Sequence, residues 1–151
     1  MDDIKIHINQ IDELDEVLIV ADIVFQPNDE EKAKYHFKDD WLTKINNGLM
    51  VTASINNKFV GFAICYQKEK TLHIWNVGVL PEYRKNGIWQ KMYEEVLSFA
   101  TENKFSGLSL NTYKDKFPGM YNFCQSHGFE EYKTELDQLS GTTKSMFLKK
   151  M

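Results

Sequence analysis

One stretch decides the fold: Val77-Gly78-Val79-Leu80-Pro81-Glu82-Tyr83-Arg84-Lys85-Asn86-Gly87-Ile88-Trp89, in which an apolar strand passes through a basic loop directly into an amphipathic helix. The first N–H groups of any helix lack an intrahelical partner, and the helix dipole places partial positive charge at the same point. Arg84 and Lys85 add full positive charges, and Gly87 lets a phosphate approach the main chain. The stretch therefore predicts a pyrophosphate-binding helix start.

Hydrophobic periodicity predicts the other elements. Expected strands cover residues 4–8, 49–55, 59–66, 71–79, about 108–110, 129–134 and 145–149. Expected helices run from about 11 to 25, from 28 to 45, onward from 88, and from about 117 to 127. Pro27 ends the first helix, and Gly128 caps the last one at its C-terminus.

Composition limits the class of protein. With 151 residues, 42% hydrophobic and 26% charged, the chain fits one folded domain, residues 1–151. A net charge of −4 argues against a nucleic-acid partner and weakly suits a cationic substrate. The longest apolar run, Phe59 to Cys65, is too short to span a bilayer, and no signal peptide is visible. We therefore expect a cytoplasmic protein with no membrane contact.

Several motifs of other protein classes are absent from the sequence. It has neither the Gly-x-Gly-x-x-Gly of dinucleotide-binding folds nor a P-loop, and Ser109 lies in a segment without the second glycine of a hydrolase elbow. Cys65 and Cys124 lie far apart, so we expect both thiols to stay reduced. The four histidines show no metal-ligand spacing, so we predict no metal site.

The loop Arg84-Lys85-Asn86-Gly87-Ile88-Trp89 resembles the acetyl-CoA loop of the GNAT family of N-acetyltransferases, Gln/Arg-x-x-Gly-x-Gly/Ala. One position departs, since Trp89 stands where the family has Gly or Ala. The resemblance implies an α/β domain with a mixed, mostly antiparallel sheet of six or seven strands flanked by helices. It also implies acetyl-CoA as the acyl-donor substrate. The implied contacts come from Val77, Val79, Arg84, Lys85, Asn86, Gly87, Ile88 and Trp89.

Acetyl transfer to an amine needs a group or a water chain that removes the ammonium proton. By resemblance, His73 occupies the position of the general-base glutamate in the histone-acetylating branch of the family. A histidine with an ordinary pKa of about 6.5 suits this role near neutral pH. Glu69 and Glu82 are weaker alternatives, and an ordinary strand histidine is the competing interpretation.

The helix that ends in Gly128-Phe129 resembles the closing element of the family, Ala-x-x-Phe-Tyr-x-x-x-Gly-Phe. This match places Cys124 where the family has the tyrosine that protonates the leaving thiolate. Tyr121 lies one helical turn earlier and offers a hydroxyl instead. The alternative is that both side chains only pack.

Together these features predict an acetyl-CoA-dependent N-acetyltransferase in which a primary amine attacks the thioester directly. The acceptor is a small-molecule or peptide amine, and a homodimer is possible. Two rival functions remain open at this point. One is a catalytically inactive acyl-CoA-binding module, and the other is a protein-interaction domain in which Trp89 fills the cofactor approach.

Overall fold

Seven strands form one mixed sheet in the computed structural model, which describes residues 3–28, 38–138 and 141–151. The strands are β1 (Ile4–Ile8), β2 (Gly48–Ile55), β3 (Lys58–Lys68), β4 (Thr71–Val79), β5 (Gly107–Tyr113), β6 (Glu130–Asp137) and β7 (Thr142–Lys150). The helices of the described residues are α1 (Leu14–Phe25), α2 (Lys38–Asn46), α3 (Ile88–Glu102) and α4 (Pro118–Ser126). Short 3₁₀ turns precede α1, at Ile11–Glu13, and α3, at Pro81–Tyr83.

The strand order is β1-β2-β3-β4-β5-β7-β6, and every neighbouring pair is antiparallel except β4 and β5. The predicted mixed, mostly antiparallel sheet is therefore confirmed. The last two strands are longer than the sequence pattern predicted. The predicted second helix is described only as α2, and its expected beginning, residues 29–37, lies outside the described residues.

Local chemistry explains where the elements end. Gln26 adopts a left-handed backbone, with φ of +46°, directly before Pro27, so α1 ends at Phe25. Asn56 and Asn57 both have positive φ, which is the geometry of a two-residue hairpin turn between β2 and β3.

The parallel pair β4 and β5 separates partway along its length. The two strands share a ladder only from Thr71 to Ile74 on β4 and from Gly107 to Leu110 on β5. β4 then continues to Val79 and β5 to Tyr113, while β4 stays paired with β3 through Val79. A register irregularity in the β3–β4 ladder lies opposite Trp75, at the point of separation. The sheet therefore opens into a wedge between two central strands.

Different helices cover the two faces of the sheet beside this wedge. A Cβ built on Gly61, which pairs with Val79, would lie 3.3 Å from side-chain atoms of Ile88 and Met92, so this face packs on α3. A Cβ on Gly78 would lie 2.8 Å from the Phe62 ring and 3.2 Å from Val24, so the opposite face packs on α1. Glycine at position 78 is what allows this close approach. No helix within the described residues is long and apolar enough to cross a membrane.

Candidate active site

The wedge between β4 and β5 holds a cleft of about 760 Å³. Its walls come from both strands beyond their separation, from the end of α1, from the loop before α3 and from the start of α4. The lining residues are Val24, Phe25, Ile74, Trp75, Asn76, Val77, Gly78, Val79, Arg84, Trp89, Leu110, Asn111, Thr112, Tyr113, Lys116, Phe117, Pro118, Gly119 and Met120.

The start of α3 presents main-chain donors beside this cleft. Gly87 is the N-cap residue, with φ of +76°, and Lys85 has φ of +66°. The N–H of Lys91 donates to the Gly87 carbonyl oxygen at 3.1 Å, so the N–H groups of residues 88–90 precede the first helical hydrogen bond. A Cβ on Gly87 would meet nothing within 4 Å. The space above the helix start is therefore open to an anion.

Side chains of the same loop hold it in shape. Arg84 Nε donates to the Val79 carbonyl oxygen at 3.1 Å, and Asn86 Nδ2 donates to the Tyr83 carbonyl oxygen at 3.2 Å. The first bond ties the guanidinium to the end of β4, where Arg84 lines the cleft. Such bracing fixes the direction of the loop N–H groups before any ligand arrives.

The structure brings together four of the predicted cofactor contacts as lining side chains: Val77, Val79, Arg84 and Trp89. The Lys85, Asn86 and Gly87 positions are exposed on the loop, and the Ile88 side chain is buried in the core. Residues 85–88 can reach a ligand through their main-chain N–H groups, and the Lys85 side chain adds a positive charge. Binding at all eight positions stays a prediction.

Trp89 belongs to both the cleft and the core. Its indole lines the cleft and packs against Tyr93 and Phe123, with ring centroids 5.7 and 5.3 Å away. The indole Nε1–H is buried and has no hydrogen-bond partner in the described part of the chain. The side chain is therefore held as part of the cleft wall by aromatic contacts with α3 and α4.

His73 lies outside the cleft, on the paired part of β4. It is 4% exposed, and its Nδ1 lies 2.8 Å from Ser109 Oγ on β5. Burial, with smaller contributions from the positive charges of Lys68 and Lys144, lowers the pKa of His73 to about 4. Burial and a low pKa both weaken a general base, and the structure does not bring this side chain to the lining residues. The base role of His73 stays a prediction.

The two predicted acids lie on α4 and are not among the residues that line the cleft. Cys124 is fully buried, and burial raises the pKa of its thiol to about 12. The Tyr121 ring packs on Phe147 with centroids 5.4 Å apart, and Gln125 Nε2 donates to its hydroxyl at 3.4 Å. Desolvation and the neighbouring Glu131 raise the pKa of Tyr121. Neither side chain lines the cleft, so a proton from either would need an opening or a water, and the acid roles stay predictions.

The wall formed by β5 and the loop after it is not predicted by the sequence patterns. Asn111, Thr112, Tyr113 and Lys116 line the cleft from that side, opposite Asn76 on β4. Their signal in the sequence is weak, because only Leu108 and Leu110 marked the strand. The described residues contain no group of three or more His, Cys, Asp or Glu side chains that could hold a metal ion.

Comparisons with known proteins agree with this geometry. A family model described as the acetyltransferase (GNAT) family matches residues 14–129. An N-acetyltransferase of Archaeoglobus fulgidus that is described as uncharacterized is 33% identical over 76 residues, which is 46% of this chain and 50% of that protein. The chain thus spans about half the length of this curated relative.

Solved structures show the same fold across almost the whole chain. The ribosomal-protein-S18-alanine N-acetyltransferase of Escherichia coli has a TM-score of 0.81 and 14% identity, with 98% of this chain and 94% of that chain covered. The PaiA N-acetyltransferase of Thermoplasma acidophilum, solved with coenzyme A, has a TM-score of 0.78 and 18% identity, with 99% of each chain covered. A GNAT acetyltransferase of Elizabethkingia anophelis with acetyl-CoA bound has a TM-score of 0.74 and 19% identity, with both chains fully covered. At these identities the likeness concerns the fold.

Proposed function

Because the chain belongs to the GNAT acetyltransferase family, we propose that it transfers the acetyl group of acetyl-CoA to a primary amine by direct attack in the cleft between β4 and β5. The observation that carries the proposal is the position of the α3 start. The unpaired main-chain N–H groups of this helix start lie at one side of the cleft of about 760 Å³ that separates β4 from β5. Two of the solved relatives bind coenzyme A or acetyl-CoA, which supports the same donor here.

The pyrophosphate of the donor takes the N–H groups from about Lys85 to Trp89 in this proposal. Arg84 and Lys85 supply positive charge, and the open space above Gly87 leaves room for the phosphate oxygens. From that point the pantetheine arm follows the edge of β4 at Val77 and Val79 into the wedge.

The thioester carbonyl then lies beside main chain that has no strand partner. Beyond Ile74, the N–H groups of β4 that point toward β5 have lost their ladder, while those that point toward β3 keep theirs. We expect one of these free N–H groups to donate to the developing oxyanion. Removal of one such donor from an acyl-transfer site typically costs about 10²–10³ in turnover.

Proton transfer runs through water in this proposal. The lining residues of the described chain include no His, Asp, Glu or Cys side chain. A water held by the amides of Asn76 and Asn111 would relay the ammonium proton rather than keep it, and His73 stays the candidate acceptor at the inner end of such a water chain. Tyr121 and Cys124 are the corresponding candidates for protonating the thiolate.

Isothermal titration with acetyl-CoA followed by thiol release with an amine panel tests the proposal. We expect saturable binding and then release of coenzyme A that depends on the amine. Binding without thiol release for any amine would indicate the inactive acyl-CoA-binding module. Absence of binding would indicate a protein-interaction domain that holds no donor.

A further inference from the structure

The cleft has two chemically different halves, separated by the plane of the sheet. On the α3 side stand Arg84, Trp89 and the open helix start. On the α1 side stand Val24, Phe25 and Trp75, with Phe117 at the rim. The phosphate-rich donor fits the first half, so the second half is left for the acceptor.

Aromatic side chains hold one another in the acceptor half. The Phe25 ring meets the edges of Phe62 and Phe117 with centroid distances of 6.3 Å in both pairs. Trp75 packs edge to face with Trp41 of α2, with centroids 5.2 Å apart. Phe117 remains 41% exposed, which makes it the apolar surface that an entering molecule meets first. This wall is suited to a flat apolar body.

Two of the aromatic rings that line the cleft already have a lysine ammonium over them. Lys44 Nζ lies 4.6 Å from the Trp75 ring centroid and is held by Asp40 at 3.1 Å. Lys116 Nζ lies 5.7 Å from the Tyr113 ring centroid. An ammonium over a ring repels a second cation that approaches the same face.

Among the described residues, the charged side chains that line the cleft are all positive. The charged lining residues of the described chain are Arg84 and Lys116, with no aspartate or glutamate among them. One ammonium of an acceptor loses its charge before attack, because its proton must leave. A second ammonium would keep its charge and would meet Arg84, Lys116 and neutral side chains, with no carboxylate among the described lining residues to offset its desolvation.

From this arrangement we propose that the acceptor is a monoamine with a flat apolar body, and that the cleft discriminates against polyamines and other polycations. The inference rests on the proposed acetyltransferase function and specifies its substrate class. Phe117 and Trp75 contact the apolar body, and Lys44 acts through Trp75 as a positioning residue against a second positive charge.

Steady-state thiol release with 2-phenylethylamine and spermidine tests the preference. We expect kcat/KM for 2-phenylethylamine to exceed that for spermidine by at least about tenfold, which corresponds to about 1.4 kcal/mol. Equal or better use of spermidine would overturn the inference and leave the acetyltransferase function standing.

Two variants test which residues cause the preference for 2-phenylethylamine over spermidine. F117A should raise KM for 2-phenylethylamine about three- to tenfold with kcat little changed, because one aromatic contact is lost. Its control is Y132A, which removes an exposed aromatic ring of β6 that does not line the cleft. K44Q should raise kcat/KM for spermidine about three- to tenfold relative to that for 2-phenylethylamine, because it removes the positive charge over Trp75. Unchanged selectivity in both variants would contradict the assignment.

Tryptophan fluorescence distinguishes a failure of the proposed acetyltransferase function from a failure of the proposed acceptor class. If acetyl-CoA binds but no amine is acetylated, the proposed function fails. Binding of 2-phenylethylamine that quenches the fluorescence and weakens in F117A would then still support the acceptor class. Absence of such binding would overturn the acceptor class as well.

Discussion

Gly87→Val is the substitution that separates cofactor binding from folding. The wild-type glycine has φ of +76° at the start of α3, and a Cβ there would meet no atom within 4 Å. The variant therefore introduces no clash inside the protein. It introduces backbone strain and a branched side chain in the space where the pyrophosphate is expected.

The two consequences have different magnitudes. A left-handed backbone costs a β-branched residue about 1–2 kcal/mol, which for a chain of this size lowers Tm by about 2–8 °C. Loss of one hydrogen bond to a charged phosphate costs about 1.5–3 kcal/mol, which weakens acetyl-CoA binding by about 10- to 100-fold.

Gly141→Val is the matched control. Gly141 precedes β7, is not among the residues that line the cleft, has φ of +72°, and also has open space around a built Cβ. Both variants should lose similar amounts of Tm in thermal denaturation. Isothermal titration should show a weakened acetyl-CoA affinity for Gly87→Val alone. Equal affinities in the two folded variants would refute the placement of the pyrophosphate at this helix start.

Three further predictions concern the buried and cleft-facing groups. His73 is held neutral in the folded state with a pKa of about 4, below its unfolded value of about 6.5, so the unfolded chain binds more protons between these values. The free energy of unfolding should fall by up to about 3 kcal/mol as pH drops from 6.5 to 4. His73→Gln should lose that part of the pH dependence when the free energy is measured by urea unfolding. An unchanged dependence on pH in the variant would contradict the prediction. Trp89→Gly should tighten acetyl-CoA binding in titration, because the indole lines the cleft, and should lower Tm, because the indole packs on Tyr93. Weaker binding would show that the indole does not intrude on the acetyl-CoA site. His73→Ala should lower kcat by about 10²–10⁴ if His73 is the base, and a loss of less than about threefold would exclude that role. Tyr121→Phe with Cys124→Ala should lower kcat only as a double variant if either group can donate, and full activity of the double variant would exclude both.

Most of the sheet could be predicted from the sequence because its signals are local. Alternation from Leu49 to Ile55 and the apolar run from Phe59 to Tyr66 follow directly from side-chain periodicity, and Asn56-Asn57 marks the turn between them. The loop before α3 was predictable for the same reason, since its charges and its glycine are adjacent in the chain.

The catalytic roles were assigned by matching positions in the family motifs. Such a match does not say whether a side chain is buried or exposed. His73 occupies the position that the resemblance assigns to the general base, but it lies where β4 is still paired with β5, so its side chain is buried against Ser109. The point of strand separation is set by the pairing of two distant segments. No local pattern in either strand marks it.

The acceptor half could not be predicted for a related reason. Phe25, Trp75 and Phe117 come from three separate elements and read as ordinary core aromatics in the sequence. Only packing distinguishes Phe117, which stays exposed at the rim, from Phe62, which is buried. The cation that covers Trp75 comes from a fourth element, α2.

The most direct test of the central claim follows the acetyl group itself in a single turnover with isotopically labelled acetyl-CoA and 2-phenylethylamine. Mass spectrometry would be applied to both the amine and the intact protein. Direct transfer predicts that the label moves to the amine nitrogen, with one coenzyme A released for each labelled amide and no labelled protein at any time. Label on the protein, or label found only in free acetate, would contradict direct transfer in the cleft between β4 and β5.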